Sequence, residues 1–170
     1  MKPTNKKMIR SIILAAMLLA ILFVQEQLLI LIPQFQFTVV LIIIFSAIFP
    51  YRILIPMIMA YVLLDNMYMG SLNLLYTLPM LIGWLTLAIV ARVLRHQPFY
   101  IQVALAVFFG FFYGWIFIPA RMIEQGVEIF WPYLIADLPF EIMFAFSNLL
   151  TMLLVYNPLR LSLENLTDIK

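Results

Sequence analysis

The chain has 170 residues, no cysteine and a formal net charge of +2; 66% of its residues are hydrophobic and only 11% are charged. A soluble domain carries about 25% charged residues, so this composition excludes that class and predicts a polytopic membrane protein. The absence of cysteine excludes disulfides, thiolate nucleophiles and Cys-based metal sites. The basic residues stand at loop positions, which favours a role in membrane topology over binding to nucleic acid.

Apolar runs separated by proline, glycine and polar turns predict six transmembrane helices. We expect them at residues 9–32, 37–49, 53–67, 75–94, 100–118 and 133–155, so that residues 1–170 form one integral membrane domain. The first apolar run follows a basic segment, as in a signal peptide. It exceeds the usual apolar length of about 7–15 residues and no small-residue cleavage site follows it, so we expect it to be retained.

Helix 1 carries two features that bear on function. Ala16-Met17-Leu18-Leu19-Ala20 is a small-x-x-x-small pattern, which lets another helix approach closely, either a partner protein or a helix of the same chain. Glu26 stands near the far end of the helix. Its side chain either reaches the membrane interface or faces a polar site, and the pattern does not distinguish these alternatives.

The middle of the chain supplies further polar and aromatic candidates. Tyr61 and Asp65 are four residues apart and share one face of helix 3. Helix 4 contains Pro79, which predicts a kink. His96 is the single histidine and lies beside two arginines, where a loop position is favoured over a catalytic or metal-binding role. Residues 119–132 form the longest interruption, which predicts a loop acting as a lid.

Helix 6 is the most unusual segment because it is apolar yet carries two carboxylates and an amide. Asp137, Glu141 and Asn148 are spaced i, i+4 and i+11, so a helix places them on one narrow face. Charges at membrane depth cost several kcal/mol unless they meet water, a partner or a ligand. This face is therefore predicted to be one wall of a polar site. Tyr156-Asn157-Pro158 predicts the end of the helix.

The basic residues predict the orientation. With both termini in the cytoplasm, nine of the ten lysines and arginines lie on the inner side and one, Arg121, lies on the outer side. The inner set is Lys2, Lys6, Lys7, Arg10, Arg52, Arg92, Arg95, Arg160 and Lys170. Six of the eight acids fall at the outer end, namely Glu26, Asp65, Glu124, Glu128, Asp137 and Glu141.

Acids inside predicted spans, together with aromatic residues at similar depth, predict an outward-facing pocket for a small polar aromatic molecule. The acids are Glu26, Asp137 and Glu141. The aromatic candidates are Tyr61, Tyr76, Trp84, Tyr113 and Trp131.

Several of these features together resemble the substrate-binding S component of energy-coupling factor (ECF) transporters. They are the six short helices, Ala16-x-x-x-Ala20, the turn from Ile32 to Phe37, and Asp137-x-Pro139-x-Glu141 followed by Asn148 and Asn157-Pro158-Leu159. The resemblance implies a multi-pass protein of the bacterial plasma membrane without a cofactor of its own. Ala16 and Ala20 are then expected to dock on a transmembrane coupling subunit that carries two cytoplasmic ATPases.

The same resemblance implies that a water-soluble vitamin binds near the outer surface. Asp137, Glu141 and Asn148 are expected to line that site. The loops above it are expected at Pro33 to Gln36, Met67 to Leu75 and Arg121 to Trp131. Carboxylates with aromatic residues suit a ring that bears amino, hydroxymethyl or cationic nitrogen groups. Pyridoxine-, hydroxymethylpyrimidine- or thiamine-like compounds are therefore favoured, while riboflavin, folate and pantothenate stay open.

Two other classes remain as alternatives. An intramembrane enzyme needs a nucleophile with a base, a metal cluster or paired carboxylates with a water; Asp137 and Glu141 are the only such pair, and no histidine lies at depth. The chain has no Walker motif, so ATP hydrolysis is expected in partner subunits. The stronger alternative is an MreD-like structural membrane protein of the cell-elongation machinery, which has less need for intramembrane acids that face one pocket.

Overall fold

A computed structural model describes the backbone of residues 3–70 and 72–167 and the side chains of residues 8–70 and 72–163. The described chain is helical and contains no β-strand. Its elements are α1 (Pro3–Leu29), α2 (Thr38–Ile48), α3 (Tyr51–Tyr68), α4 (Leu74–Val93), α5 (Phe99–Trp115), α6 (Ile118–Gln125), a 3-10 turn (Val127–Ile129) and α7 (Phe130–Thr167). The predicted all-α class is confirmed.

Four helical stretches of the described chain are long and apolar enough to cross a membrane. They are Met8–Leu29, Leu74–Val93, Phe99–Gln125 and Val127–Leu163. α2 is also apolar but has only 11 residues, which corresponds to a length of about 16 Å at 1.5 Å per residue. These lengths and compositions are those of a multi-pass membrane protein.

α2 forms the centre of the bundle. Every residue from Thr38 to Ser46 is buried, as expected for a helix that is apolar on all sides and enclosed by other helices. It packs mainly against α4 and α7. At its end, Arg92 of α4 donates from Nη1 to the carbonyl oxygens of Ser46, at 2.8 Å, and of Phe49. These bonds satisfy carbonyl groups that the last turn of a helix leaves without partners.

α5 and α7 form the most extensive helix pair, and Gly110 permits their close approach. A Cβ atom at Gly110 would lie 2.6 Å from both the backbone nitrogen and the Cα of Ala145. Backbone atoms cannot move aside as a flexible side chain can. The absence of a side chain at Gly110 therefore permits the close approach of α5 and α7.

α1 lies at the edge of the bundle, where it runs parallel to α3. On its apolar outer face, Met17 is 61% exposed and Ile21 is 53% exposed. Ala16 and Ala20 are exposed on α1 as well. Leu18 and Leu22 lie on its inner face and are 6% and 0% exposed.

The predicted loop at residues 119–132 is wrong in its local structure. Pro119 occupies the first turn of α6, where its missing N–H group costs no hydrogen bond. Gly126 has φ of 89° and ends α6, and the 3-10 turn then leads directly into α7. Residues 118–125 are therefore helical, and α6 contacts α4 and α7.

The last helix is longer than expected. α7 runs from Phe130 to Thr167 and passes through Pro139 and Pro158, whereas the sequence predicts a helix over 133–155. Membrane helices tolerate internal proline because neighbouring groups satisfy the freed backbone. The carbonyls left without an N–H donor in α7 are those of Ile135 and Leu154, four residues before each proline.

The two ends of the bundle differ in charge. Arg92 stacks over Tyr51 with 4.9 Å from Cζ to the ring centroid, and Arg160 stacks over Tyr156 at 5.8 Å; both are at the end that holds the start of α3. The intramembrane carboxylates are at the opposite end. Among the residues that predict the orientation, Lys2, Lys6, Lys7 and Lys170 lie outside the described side chains.

Candidate functional site

A cavity of about 160 Å³ lies between α5 and α7 at the acidic end of the bundle. We call it the carboxylate cavity. It is lined by Gln34, Gly110, Tyr113, Gly114, Phe117, Tyr133, Asp137, Phe140, Glu141 and Phe144. The described lining thus contains two carboxylates and several aromatic rings, and none of its residues is basic. The two carboxylates are those of the predicted helix 6 face.

Gly114 of α5 determines where the two carboxylates lie. A Cβ atom at this position would be 2.5 Å from Glu141 Oε1 and 2.8 Å from Asp137 Oδ2. Asp137 and Glu141 are four residues apart on α7, so both reach the same point of the facing helix. The missing side chain of Gly114 thus provides the space that both carboxylates occupy.

Glu141 is the more deeply buried of the pair, with 3% of the residue exposed. Its Oε2 accepts a hydrogen bond from Trp115 Nε1 at 3.2 Å. A buried carboxylate with one neutral donor is poorly compensated, because an isolated charge away from water is strongly unfavourable. A ligand that carries a positive charge or several N–H groups supplies the missing compensation.

Tyr113 forms an aromatic wall of the cavity. Its ring centroid lies 5.3 Å from that of Phe117 and 6.0 Å from that of Phe144, with the rings of each pair near perpendicular. Behind it, Trp84 packs against Tyr113 at 4.7 Å and against Tyr61 at 5.9 Å. Trp84 is 1% exposed, so it supports the wall and does not line the cavity.

A second cavity of about 190 Å³ lies between the end of α1 and the turn that follows it. We call it the turn cavity. It is lined by Glu26, Gln27, Leu29, Ile30, Ile32, Pro33, Gln34, Phe35, Gln36 and Met69. Two predicted site residues, Glu26 and Gln36, are therefore near each other here, and away from Asp137 and Glu141.

The carboxylates near the turn cavity have partners within the protein. Glu26 Oε2 accepts a short hydrogen bond from Tyr61 OH. Asp65 Oδ1 accepts a hydrogen bond from Gln27 Nε2 at 3.2 Å. These two contacts join the same ends of α1 and α3, so Glu26, Tyr61 and Asp65 all contribute to helix packing.

The turn between α1 and α2 is tied to the bundle and separates the two cavities. Gln25 Oε1 accepts from the Phe37 backbone N–H at 3.0 Å, and the Gln36 N–H donates to Ser147 Oγ of α7 at 3.4 Å. Gln34 has φ of 57°, in the left-handed region that non-glycine residues seldom occupy. Gln34 lines both cavities.

Tyr76 belongs to a third polar group, which holds α6 to the rest of the bundle. Arg121 Nη1 donates to Tyr76 OH at 2.8 Å and to Glu124 Oε2 at 3.4 Å, and Tyr76 OH donates to Glu124. Arg121 Cζ also lies 5.6 Å from the ring centroid of Tyr133. Because Tyr133 lines the carboxylate cavity, this group fixes α6 beside it.

Two further predicted site residues lie outside both cavities. Asn148 is fully buried, and its Nδ2 donates to the Ala106 carbonyl of α5 at 3.0 Å. The amide thus joins α5 to α7 in the helix interface. Trp131 is 66% exposed and its ring packs against Phe130. The helix 6 face therefore divides, with Asp137 and Glu141 at the cavity and Asn148 in the packing.

Sequence reasoning missed several residues of the carboxylate cavity. Gly114 is one of them, because a glycine that faces two acids on another helix is recognisable only once the helices are paired. Trp115 and Tyr133 have no signal in the sequence beyond their aromatic character. Phe140 and Phe144 share the α7 face with the acids, which periodicity could have shown.

The carboxylate cavity presents polar acceptors and flat apolar surfaces to a small molecule. Among the described residues, no group of three or more His, Cys, Asp or Glu side chains could hold a metal ion. Asp137 and Glu141 present acceptors, and the aromatic rings present flat apolar surfaces. Such a combination binds a planar polar molecule and fixes its orientation.

Comparisons with known proteins found no match for this chain. No protein-family model matches the chain, and neither a curated protein nor a solved structure is significantly similar to it.

Proposed function

We propose that this chain is the substrate-binding S component of an ECF-type vitamin transporter in the plasma membrane of a bacterium. The single observation that carries the proposal is the carboxylate cavity, in which Asp137 and Glu141 face aromatic walls and none of the described lining residues is basic. A scaffold protein has less need for two acids that face one cavity at membrane depth. A binding protein uses them to hold a ligand that carries N–H groups or positive charge.

The volume of the cavity limits the size of the ligand. Pockets for drug-sized molecules measure about 300–1,000 Å³, whereas the carboxylate cavity measures about 160 Å³. A single-ring compound with an amino or cationic nitrogen group, such as a hydroxymethylpyrimidine- or pyridoxine-like molecule, suits this volume. Asp137 and Glu141 accept its hydrogen bonds, and Tyr113 packs against the ring.

The proposed topology has six crossings with both termini in the cytoplasm. α1, α2, α3, α4, α5 and α7 are the crossings, with α2 short because it is enclosed by the other helices. The basic residues then lie inside and the carboxylate cavity opens to the outer side. Cysteine substituted at Glu124 is expected to label from outside and cysteine at Arg95 from inside. Labelling of both from one side contradicts this topology.

The partners in this proposal are a transmembrane coupling subunit and two cytoplasmic ATPase subunits. The exposed positions of Ala16 and Ala20 on the apolar outer face of α1 support a docking role. We expect Ala16→Trp or Ala20→Trp to abolish association with the coupling subunit and to leave ligand affinity unchanged. If association and ligand binding are lost together, the alanines serve internal packing.

The decisive experiment is mass spectrometry of the small molecules released from the purified protein. We expect a single-ring nitrogen compound that rebinds with a stoichiometry of one, measured by calorimetry. A protein that carries no ligand, binds none of the candidate vitamins and instead co-purifies with cell-elongation proteins would support the MreD-like alternative.

A further inference from the structure

A third space of about 410 Å³ lies between α1 and α3 at the end of the bundle that carries the basic residues. We call it the α1–α3 groove. It is lined by Met8, Ile12, Ala15, Ala16, Leu19, Arg52, Ile53, Pro56, Met57 and Ala60. Of the lining residues whose side chains the structure describes, Arg52 is charged and the others are apolar.

Small residues leave the groove open. Ala15 and Ala16 stand on the α1 side, and Pro56 and Ala60 stand on the α3 side. Larger apolar side chains at these positions would fill the space, as they do elsewhere between packed helices. The groove is therefore an unfilled apolar slot whose walls are parallel helices.

The groove is long and follows the helix axes. It extends from Arg52 to Ala60 along α3 and from Met8 to Leu19 along α1, or about 12 Å and about 16 Å at 1.5 Å per residue. Its charged end lies at the start of α3. Its other end lies among apolar side chains within the bundle. The slot thus has the polarity of a lipid molecule, with a charged end and an apolar body.

Arg52 is available for a ligand. Its side chain is exposed, and it has no hydrogen bond or ion pair with the described part of the chain. Arg92, at the same end, instead uses its guanidinium to hold the carbonyls of Ser46 and Phe49. A guanidinium presents a planar set of donors that matches phosphate oxygens.

We propose that the α1–α3 groove binds one anionic phospholipid, with an acyl chain between α1 and α3 and the headgroup phosphate on Arg52. Acyl chains are as apolar as the groove wall, so the slot alone gives little preference among lipids. The preference comes from charge, since one basic residue near an anionic surface contributes enough for about a fivefold difference. This inference does not depend on the proposed transport function. Because Ala16 lines the groove and is also proposed to contact the coupling subunit, the lipid is inferred for the chain without that subunit bound.

Native mass spectrometry of the purified full chain tests the site with two probes. Dioleoylphosphatidylglycerol and dioleoylphosphatidylcholine share their acyl chains and differ in headgroup charge. We expect one retained lipid and about fivefold preference for the anionic one. Arg52→Gln is expected to reduce this preference to about one. The control Arg95→Gln changes a basic residue outside the groove and is expected to keep it.

A second variant separates the acyl slot from the charge. Ala60→Leu places extra volume in the groove and is expected to lower retention of both lipids at least severalfold, with an unchanged melting temperature. Equal retention of the two lipids by the wild-type protein, or an anionic preference that survives Arg52→Gln, overturns the proposal. So does a purified protein in which a second copy or another polypeptide, and no lipid, protects a cysteine at Ala60 from labelling.

Discussion

The carboxylate cavity and the turn cavity lie at the same end of the bundle, and each has a carboxylate in its lining. The two cavities differ in the hydrogen-bond partners of the carboxylates in and near them. Near the turn cavity, Glu26 accepts from Tyr61 and Asp65 accepts from Gln27. In the carboxylate cavity, Asp137 and Glu141 point at Gly114, and the hydrogen bond to Glu141 comes from Trp115. The first pair of acids joins two helices, while the second pair faces open volume.

This difference shows how a membrane protein can use the same residue type for packing and for binding. A carboxylate with a fixed donor on the next helix adds to the stability of the helix pair. A carboxylate held against a glycine, with a cavity in front of it, keeps acceptor capacity for a ligand. The open cavity beside Asp137 and Glu141, and not the residue type, separates the two roles.

The largest expected effect comes from Gly114→Ala. The new Cβ displaces Glu141 and Asp137, whose oxygens lie 2.5 Å and 2.8 Å from that position. Two charge-assisted hydrogen bonds to the ligand are lost at roughly 1.5–3 kcal/mol each, which weakens binding by more than about 100-fold. Calorimetry with the ligand released from the wild-type protein measures the loss.

Gly110→Ala is the matched control on the same helix. Its Cβ meets the Ala145 backbone at 2.6 Å, so α5 and α7 must separate and the melting temperature is expected to fall. The clash at Gly114 is with flexible side-chain ends, so Gly114→Ala is expected to stay folded. If Gly114→Ala lowers stability and leaves affinity intact, the cavity does not hold the ligand.

The second effect compares two glutamates through the same isosteric change. Glu141→Gln removes a charge from the carboxylate cavity and is expected to weaken ligand binding at least about tenfold. Glu26→Gln changes an acid that already accepts from Tyr61 and is expected to alter affinity by less than about threefold. Equal losses in the two variants would show that both cavities contact the ligand.

Asn148→Ala is expected to affect stability more than binding. The variant leaves the Ala106 carbonyl without its donor in the α5–α7 interface, which costs roughly 1–3 kcal/mol. Thermal unfolding in detergent measures this loss, and ligand affinity should stay within about twofold. Asn157→Ala, at an exposed position of the same helix, is the control. A large loss of affinity for Asn148→Ala would return this residue to the site, as the sequence predicts.

The smallest effect concerns the tryptophans as reporters of binding. Trp131 is 66% exposed, so Trp131→Phe should leave both affinity and the ligand-induced fluorescence change intact. Trp115 donates to Glu141, so Trp115→Phe should remove much of that change. A fluorescence response that disappears with Trp131 and persists without Trp115 would move the binding site towards the 3-10 turn.

Much of the fold was predictable because it depends on local pattern. Apolar runs between proline and glycine gave most helix positions to within a few residues, as for α4, expected at 75–94 and found at Leu74–Val93. The failures lie at prolines. Pro119 predicts a loop but lies in the first turn of α6, and Pro158 predicts the end of a helix that continues to Thr167. Proline fixes φ and removes one N–H group, but whether the helix continues through it depends on contacts with neighbouring helices.

The sequence alone determined that the chain is helical and apolar, and that Asp137 and Glu141 share one helix face, because composition and helical period act within a single segment. Only the tertiary structure decided what each face meets. Three contacts illustrate this: Gly114 faces Asp137 and Glu141, Tyr61 donates a hydrogen bond to Glu26, and Asn148 donates one to the Ala106 carbonyl. The residues in each contact are at least 23 positions apart in the chain. Such pairings depend on how the helices rotate and how closely they approach, and a local pattern contains neither quantity.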